Sequence, residues 1–239
     1  MLKVNEIFGP TIQGEGRTAG KEVVFLRLAG CNLHCVWCDT PYTWNWIGSK
    51  WSHPDKFDPK DEIHEMSTCE VVEQLAKIGT TIASVVISGG EPLIQQKQLE
   101  ILLVALHNRN WWIEIETNGT IPPNKVVRQY VNQFNVSPKL SNSGDKKQLR
   151  FRPQAMSVFA QMEKATFKFV IGSTEDVSEV MEYVKEFGLP NERVYLMPLG
   201  KTPDELKITM NLTEQLCNRF GFIFSDRLHV HKFGGVRGV

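Results

Sequence analysis

Strand-like and helix-like segments alternate along most of this 239-residue chain, and that alternation constrains the fold more than any other feature. The predicted strands, which are short and apolar or β-branched, are Val23–Leu28, Ala83–Ser88, Trp112–Glu116, Phe134–Ser137, Thr166–Ile171 and Arg193–Met197. The predicted helices are Thr68–Ile78, Gln96–Asn108, Pro123–Gln133, Gln154–Met162, Glu175–Phe187 and Asp204–Phe220. Repeated βα units give parallel strands joined by right-handed crossovers. We therefore expect an α/β fold with a parallel sheet, arranged as a barrel or an open barrel.

Composition sets limits on size, partners and location. A chain of 239 residues can bury a substantial core, and without a clear linker or repeat we expect a single domain spanning residues 1–239. Lysine and arginine together number 27, as do aspartate and glutamate, so the neutral balance argues against a nucleic acid as the main partner. No apolar run reaches membrane-spanning length, and the N-terminus does not resemble a signal peptide. We expect a protein of the reducing cytoplasm that binds neither nucleic acid nor membrane.

Three cysteines, Cys31, Cys35 and Cys38, follow the first predicted strand with the spacing C-x3-C-x2-C. Three thiolates on one short loop can bind three irons of a 4Fe–4S cluster, which leaves the fourth iron open to a small molecule. A disulfide would pair two cysteines and strand the third, and it suits oxidising compartments. A structural zinc site would need a fourth ligand, for which His34 lies within the loop. The spacing favours the cluster.

Polar and glycine-rich motifs follow three of the predicted strands, at the ends where barrel enzymes collect their chemistry. Ser88-Gly89-Gly90-Glu91-Pro92 combines glycines, which let a ligand approach the backbone, with a carboxylate that can pair with an ammonium group. Ile115-Glu116-Thr117-Asn118-Gly119 and Ser137-Pro138-Lys139 end the next two strands. Each motif taken alone also fits an ordinary turn or strand end. Their common position indicates a binding site at one edge of the sheet.

The cysteine spacing and the Gly-Gly-Glu-Pro motif together resemble the radical S-adenosylmethionine (SAM) enzymes. This resemblance implies an incomplete β/α barrel of the radical SAM type, in which the open iron of the cluster chelates the amino and carboxylate groups of SAM. One electron from the cluster would then release a 5′-deoxyadenosyl radical. The residues that the resemblance assigns to SAM binding are Trp37, Gly89, Gly90, Glu91, Thr117, Ser137 and Lys139.

The N-terminal segment indicates which family within the superfamily the chain resembles. Glu6–Gly16 reads EIFGPTIQGEG, Phe25–Cys31 reads FLRLAGC, and Cys38-Asp39-Thr40 and Arg237-Gly238-Val239 add further short matches. Together they resemble the 7-carboxy-7-deazaguanine synthases of the queuosine and 7-deazapurine pathway. The resemblance implies a carbon–nitrogen lyase that converts 6-carboxy-5,6,7,8-tetrahydropterin to 7-carboxy-7-deazaguanine with loss of ammonia.

The same resemblance implies a substrate pocket and a metal site. Arg27 would bind the substrate carboxylate, because a planar guanidinium suits two oxygens, although a surface ion pair is its ordinary interpretation. Thr40 would offer its hydroxyl to a Mg²⁺ ion that also binds the substrate. The residues assigned to the substrate are Ile12, Gln13, Gly14, Glu15, Arg27, Ser88 and Val239. The implied partners are a second copy of the chain in a homodimer and a flavodoxin-like or ferredoxin-like electron donor.

Three segments keep more than one interpretation. The aromatic-rich insertion at residues 42–66 could cap the site, shield the cluster, dock an electron donor or form a dimer interface. The basic segment Lys139–Arg152 is interpreted as a solvated loop, with docking of an acidic electron donor as the alternative. His229 and His231 would share one face of a strand, either as a structural pair or as part of a metal site.

Other function classes also stay open at this point. A glycyl-radical activating enzyme shares the cysteine motif but acts on a protein backbone, and it need not carry Gln13-Gly14-Glu15-Gly16. A non-catalytic iron–sulfur or zinc module would not need Gly-Gly-Glu-Pro at a strand end. A radical enzyme that modifies RNA is disfavoured by the neutral charge.

Overall fold

The computed structural model describes residues 1–51 and 53–239, and within them the strands form one nine-stranded sheet. The order across the sheet is β3-β1-β2-β4-β5-β6-β7-β8-β9. The strands are β1 (Leu2–Ile12), β2 (Glu22–Leu28), β3 (His64–Met66), β4 (Ser84–Gly89), β5 (Trp112–Thr117), β6 (Gln133–Val136), β7 (Ala165–Ile171), β8 (Val194–Pro198) and β9 (Ile223–Phe224).

The sheet is parallel from β2 through β9, and β1 runs antiparallel to both β2 and β3. In the described part of the chain the two edge strands, β3 and β9, do not pair with each other, so the sheet stays open. The predicted fold class, an incomplete parallel β/α barrel, is confirmed. The antiparallel hairpin of β1 and β2 adds an N-terminal edge that the alternation of strands and helices did not reveal.

Most helices lie between successive strands along the chain, and the longer ones cover one face of the sheet. The helices are α1 (Pro59–Glu62), α2 (Thr68–Ile78), α3 (Gln96–His107), α4 (Lys125–Tyr130), α5 (Lys147–Arg150), α6 (Pro153–Ala160), α7 (Asp176–Phe187), α8 (Pro203–Phe220) and α9 (Leu228–Phe233). Helix α2 begins at a capping box, in which the Ser67 hydroxyl accepts the Glu70 N–H and the Glu70 carboxylate accepts the Ser67 N–H. None of the helices in the described residues has the length and apolar character to span a membrane.

The apolar core lies between the helices and the outer face of the sheet. Successive side chains along a strand point to opposite faces. Leu26, Ile87 and Ile115 therefore all face outward, where they pack in one cluster with Leu75 and Leu103 of the helices. Burying each such side chain stabilises the fold by roughly 1.5–3 kcal/mol.

The opposite face of the same strands is polar. Arg27 of β2 lies beside Ser88 of β4, and Glu116 of β5 lies beside Asn135 of β6. Lys168 of β7 also has its side chain on this face. The period of two thus sends apolar residues to the core and charged residues to the concave side of the open barrel.

The predicted helix at 123–133 and the predicted loop at 139–152 both need correction. The predicted helix Pro123–Gln133 is shorter, because Asn124 caps its start by accepting the Val127 N–H at 3.0 Å and the chain enters β6 at Gln133. The segment Lys139–Arg152 is not simply a solvated loop. It contains α5, and the buried Arg150 guanidinium donates to the Lys139 carbonyl at 3.1 Å and pairs with Glu179.

The prediction that His229 and His231 share one face of a strand is wrong, because both lie in helix α9. Residues two apart on a helix point in different directions. His229 faces Glu15, whose carboxylate lies 3.7 Å from its Nε2, whereas the His231 Nε2 lies 2.9 Å from Asp226. The two imidazoles therefore do not converge on one ligand.

Candidate active site

A cavity of about 360 Å³ opens on the concave side, at the carboxyl ends of the parallel strands. It brings together every residue that the sequence assigned to the cluster, the substrate and magnesium, and most of those assigned to SAM. The predicted site residues that line it are Ile12, Gln13, Gly14, Glu15, Arg27, Cys31, Cys35, Cys38, Thr40, Ser88, Gly89, Gly90, Thr117, Ser137, Lys139 and Val239. Trp37 and Glu91 lie outside this lining.

The cysteine loop leaves β2 and carries three free thiols to one side of the cavity. The Cys31 sulfur accepts the Leu33 N–H at 3.5 Å, and the Cys35 thiol donates to Asp145 at 3.5 Å. Burial raises the pKa of Cys31 to about 12 and also raises the pKa of Cys35 and Cys38. A positive partner such as iron is therefore needed to hold these groups as thiolates.

The glycines of the Gly-Gly-Glu-Pro motif are required by packing of the backbone against the cysteine loop. A Cβ on Gly89 would lie 2.1 Å from the Leu28 carbonyl oxygen, and one on Gly90 would lie 2.1 Å from the Gly30 carbonyl oxygen. Gly89 also has a φ of +141°, which disfavours any other residue. The motif therefore locks the end of β4 onto the loop that presents the thiols.

Glu91 lies in the interior, where its carboxylate accepts three hydrogen bonds from the protein. It accepts the Leu93 N–H at 3.0 Å, the Asn118 N–H at 2.7 Å and the Thr117 hydroxyl at 2.8 Å. Burial raises its pKa despite these bonds. In this structure Glu91 ties the end of β5 to the end of β4, and its predicted contact with SAM stays a prediction.

Trp37 and Lys139 lie together at the rim of the cysteine loop. The Trp37 indole donates to the Asn142 carbonyl at 3.0 Å, and the Lys139 ammonium lies 5.4 Å from the centre of the indole ring. Lys139 also donates to the Ser137 hydroxyl at 3.0 Å. The cation is therefore held near the thiols, where it can face an anionic ligand.

Gln13 is held by carboxylates on the concave face of the sheet. Its Nε2 donates to Glu114 at 2.9 Å and to Glu116 at 3.0 Å, and its Oε1 accepts the Glu15 N–H at 3.2 Å. Glu114 is buried, and burial raises its pKa. Glu116 instead lines the cavity, so its carboxylate is available to a ligand.

Glu15 is the centre of a buried ionic network. Its carboxylate pairs with Lys168 and accepts from Arg227 Nε at 2.8 Å, and Arg227 also pairs with Asp39. Burial alone would raise the pKa of Glu15, but Lys168, Arg227 and His229 hold it well below its usual range. The network fixes strand β7 and the C-terminal segment against the loop after β1.

Arg27 is paired within the cavity wall. Its Nε donates to Glu6 at 2.6 Å, and Arg237 donates to the other oxygen of the same carboxylate at 3.1 Å. Burial alone would lower the pKa of Arg27, but Tyr42 and Glu6 raise it. Glu6 therefore joins Arg27 to the segment that ends at Val239.

Ser88 and Thr40 supply hydroxyls to the cavity. Ser88 is almost completely buried, and its Oγ has no hydrogen-bond partner among the described residues. A buried hydroxyl without a partner costs roughly 1–3 kcal/mol, so a ligand that bonds to it would remove this cost. Thr40 also lines the cavity, and its Oγ1 lies 3.7 Å from the Cys38 sulfur.

The comparison with protein families matches the Radical SAM superfamily over residues 26–213. The 7-carboxy-7-deazaguanine synthase of Pyrobaculum aerophilum is 37% identical over 238 residues, which are 99% of this chain and 97% of that protein. The chain belongs to the 7-carboxy-7-deazaguanine synthase family. The synthase of Hyperthermus butylicus is 34% identical and covers 96% of this chain and 92% of its own length.

Solved structures agree with this membership. The crystal structure of QueE from Escherichia coli is 27% identical, covers 95% of this chain and 94% of that chain, and gives a TM-score of 0.70. SuiB of Streptococcus suis, bound to the precursor peptide SuiA, gives a TM-score of 0.54 at 16% identity over 85% of this chain. The second match shows a shared fold only.

The thiols fit the 4Fe–4S cluster and SAM that the radical SAM superfamily implies. Three sulfurs from one loop line one cavity, as three irons of a cluster would require. Across the described residues, no group of three His, Cys, Asp or Glu side chains is arranged to hold a single metal ion. A cluster does not need such convergence, because each cysteine binds a different iron.

Several cavity residues of this family member were missed from the sequence. Asn135 and Lys168 line the cavity from β6 and β7, and Arg227 lines it from the C-terminal segment. Glu116 and His229 also line it, but the sequence singled them out only as part of the motif that ends β5 and as one of a histidine pair. Asn135 and Lys168 had a usable signal, since each is a polar residue between two apolar neighbours in its strand. Arg227 had none, because its partner Glu15 lies 212 residues away along the chain.

Proposed function

We propose that this chain converts 6-carboxy-5,6,7,8-tetrahydropterin to 7-carboxy-7-deazaguanine with loss of ammonia. The observation that carries the proposal is a single cavity that joins three buried or half-buried cysteines to a wall of polar groups. Its volume of about 360 Å³ is in the range of small-molecule sites. A bicyclic substrate with several donors and acceptors suits a wall of amide, carboxylate and guanidinium groups.

In this proposal Cys31, Cys35 and Cys38 hold the 4Fe–4S cluster. When bound, the cluster and SAM supply a 5′-deoxyadenosyl radical that can remove a hydrogen atom from the substrate. Gly90 and Ser137 line the part of the cavity next to the thiols and would contact SAM. The remaining predicted SAM residues, Trp37, Gly89, Glu91, Thr117 and Lys139, would shape this part of the site.

We call the part of the cavity lined by Gln13, Arg27, Ser88 and Glu116 the substrate half. Its side chains would contact the edge and the carboxylate of the pterin. Arg27 would bind the carboxylate, exchanging part of its contact with Glu6 for the ligand. Ser88 would give its unpartnered hydroxyl to the substrate. The amidine edge of a pterin presents N–H donors, and the Glu116 carboxylate in the wall is a matching acceptor.

Further substrate contacts come from the loop after β1. Ile12 and Gly14 line the cavity there, and Gln13 and Glu15 hold the loop through the bonds described above. A Cβ on Gly14 would lie 2.0 Å from His229 Nδ1, so this position must stay small while helix α9 packs on it. Val239 lines the same half and would contribute from the C-terminal segment.

The proposal also includes a bound Mg²⁺ ion, an electron donor, a homodimer and a cytoplasmic location. Thr40 would give its hydroxyl to Mg²⁺, which binds few protein ligands and retains waters. A flavodoxin-like or ferredoxin-like protein would reduce the cluster, and the chain would act as a homodimer. The free thiols of the five cysteines are consistent with a reducing cytoplasm.

The test is anaerobic turnover of cluster-reconstituted protein with SAM, reductant, Mg²⁺ and 6-carboxy-tetrahydropterin, followed by mass spectrometry. Formation of 7-carboxy-7-deazaguanine without matching consumption of SAM would support the reaction and the catalytic use of SAM. Cleavage of SAM with the pterin left unchanged would refute the substrate. A matched control is Cys69→Ala, because Cys69 is exposed and lies away from the cavity lining.

The rival function as a glycyl-radical activating enzyme is not favoured. The two relatives described above are 7-carboxy-7-deazaguanine synthases over nearly the whole chain. A non-catalytic iron–sulfur module is equally disfavoured, since it would have no use for the polar half of the cavity.

A further inference from the structure

The aromatic insertion at residues 42–66 contacts the cysteine loop through Trp44 and Trp51, and Trp44 also reaches a cysteine sulfur. Trp44 is 4% exposed, and its indole Nε1 lies 3.3 Å from the Cys38 sulfur. Its ring meets His34 edge-on at 4.9 Å between ring centres and also packs edge-on against His53. The indole is therefore packed between the loop and the rest of the insertion.

The backbone around Trp44 is fixed to the cysteine loop. The Thr43 carbonyl accepts the Gly30 N–H at 2.7 Å, just before the first cysteine. The Trp44 N–H and the Asn45 N–H both donate to the Pro41 carbonyl, at 3.1 Å and 2.7 Å. The short turn after Thr40 thus sets where the indole points, independently of any ligand.

The three thiols differ in the groups that touch them. Cys31 accepts a backbone N–H at 3.5 Å, and Cys35 faces the Asp145 carboxylate. Cys38 receives the side-chain N–H of Trp44 at the shorter distance of 3.3 Å. An indole has a donor and no acceptor, so the direction of this bond is unambiguous.

We propose that Trp44 is a positioning residue for the cluster, whose indole N–H holds the Cys38 sulfur and raises the midpoint potential of the cluster. The proposal rests on the proposed function only in that Cys38 binds iron. An iron-bound thiolate still has lone pairs for the N–H, and hydrogen bonds to sulfur are among the factors that set cluster potentials. Reduction adds negative charge, so the donor stabilises the reduced cluster more than the oxidised one.

The insertion offers a matched control for this proposal. Trp46 is also a partly buried tryptophan, but its indole donates to the Tyr42 carbonyl at 3.0 Å and not to a cysteine. Trp46→Phe therefore removes an indole N–H from the same segment and leaves the sulfur contact in place. Thr40 Oγ1, 3.7 Å from the Cys38 sulfur, is unchanged in both variants.

The experiment is a redox titration of the reconstituted proteins, followed by electron paramagnetic resonance of the reduced cluster without pterin. Trp44→Phe should shift the midpoint potential to a more negative value, and Trp46→Phe should leave it at the wild-type value. Iron and sulfide content should be matched before the titrations are compared. Because no pterin is present, this measurement stands even if the proposed substrate is wrong.

A second variant guards against a packing effect of the smaller ring. Incorporation of β-(3-benzothienyl)alanine at position 44 keeps the bicyclic shape and replaces the N–H by sulfur. It should give the same negative shift as Trp44→Phe. A wild-type midpoint potential in this variant, at full cluster content, would overturn the proposal, as would an equal shift in Trp46→Phe.

Discussion

The two halves of the cavity accommodate buried polar groups in opposite ways. In the cluster half, burial raises the pKa values of the three thiols, and nearby Lys139 offsets this only in part for Cys31 and Cys35. In the substrate half, Glu15 is already paired with Lys168 and Arg227. One half therefore depends on an added inorganic group for its final charge state, whereas the other is organised by the protein itself.

This difference between the two halves predicts how a substitution in each one affects activity and stability. Removing a thiol takes away a ligand but leaves no unpaired buried charge behind. Removing one member of a buried ion pair leaves its partner charged and poorly solvated, which typically costs 3–5 kcal/mol. Substitutions in the cluster half should therefore remove chemistry, and substitutions in the ionic network should remove stability.

The largest effect is expected from Cys35→Ala. Loss of one of the three iron ligands should abolish reductive cleavage of SAM, while circular dichroism and the melting temperature stay close to those of the unloaded wild-type protein. The measurement is 5′-deoxyadenosine formed under anaerobic conditions with reductant. Retained cleavage in Cys35→Ala would contradict the assignment of the cluster to this loop.

Glu15→Gln tests the ionic network of the substrate half, where we expect a loss of stability. It leaves Lys168 and Arg227 buried without their shared carboxylate, so the free energy of unfolding should fall by about 3–5 kcal/mol. Urea unfolding of the cluster-free protein measures this loss. Glu73→Gln, on the exposed side of α2, is the control and should change little.

The same variant has a pH signature. The folded-state pKa of Glu15 lies well below the unfolded value of about 4.5, so its contribution is fully present above that pH. It is lost as the pH falls through the lower folded-state pKa. The stability difference between wild type and Glu15→Gln should therefore be constant near neutral pH and shrink below about pH 4.5. A difference that grows on acidification would contradict the network.

Arg27→Ala should produce a smaller, selective effect. A hydrogen bond to a charged group is worth about 1.5–3 kcal/mol, so the KM for the pterin should rise roughly 10- to 100-fold. SAM binding, measured by calorimetry on the same preparation, should stay within about twofold of wild type. An unchanged KM would remove Arg27 from the carboxylate site and leave it as the partner of Glu6.

Thr40→Val should give the smallest effect. The substitution keeps the shape of the side chain and removes the hydroxyl proposed to bind Mg²⁺, which retains most of its ligands as waters. We expect a several-fold weaker stimulation of turnover by Mg²⁺, with the rate without added metal close to that of wild type. The same Mg²⁺ response in both proteins would rule out this ligand.

Local patterns in the sequence were sufficient to predict the parallel strands β2 and β4 to β8 and to place the three cysteines on one loop after β2. The cysteines lie within eight residues of one another, and the Gly-Gly-Glu-Pro motif directly follows a strand, so short-range spacing carries the information. The predicted strand Ala83–Ser88 matches β4 to within one residue at each end. Strand ends then bring these motifs together, because parallel strands place their carboxyl ends at one edge.

Long-range pairing could not be predicted in the same way. Glu15 lies 153 residues from Lys168 and 212 from Arg227 along the chain, and no local pattern records either partner. Strand β1 was missed because its sequence mixes polar residues with a glycine and a proline. Helix α9 was mistaken for a strand because a six-residue segment is too short for periodicity to distinguish the two.

The pairing of Glu15 with Arg227 and of Glu6 with Arg237 has a consequence for how the protein is made. The cysteine loop is synthesised well before Arg227 and Arg237, whose ion pairs close the substrate half. In the growing chain, the C-terminal segment therefore does not yet line the cavity that contains the three thiols. Iron delivered at that stage would meet a wider entrance than it finds in the finished protein.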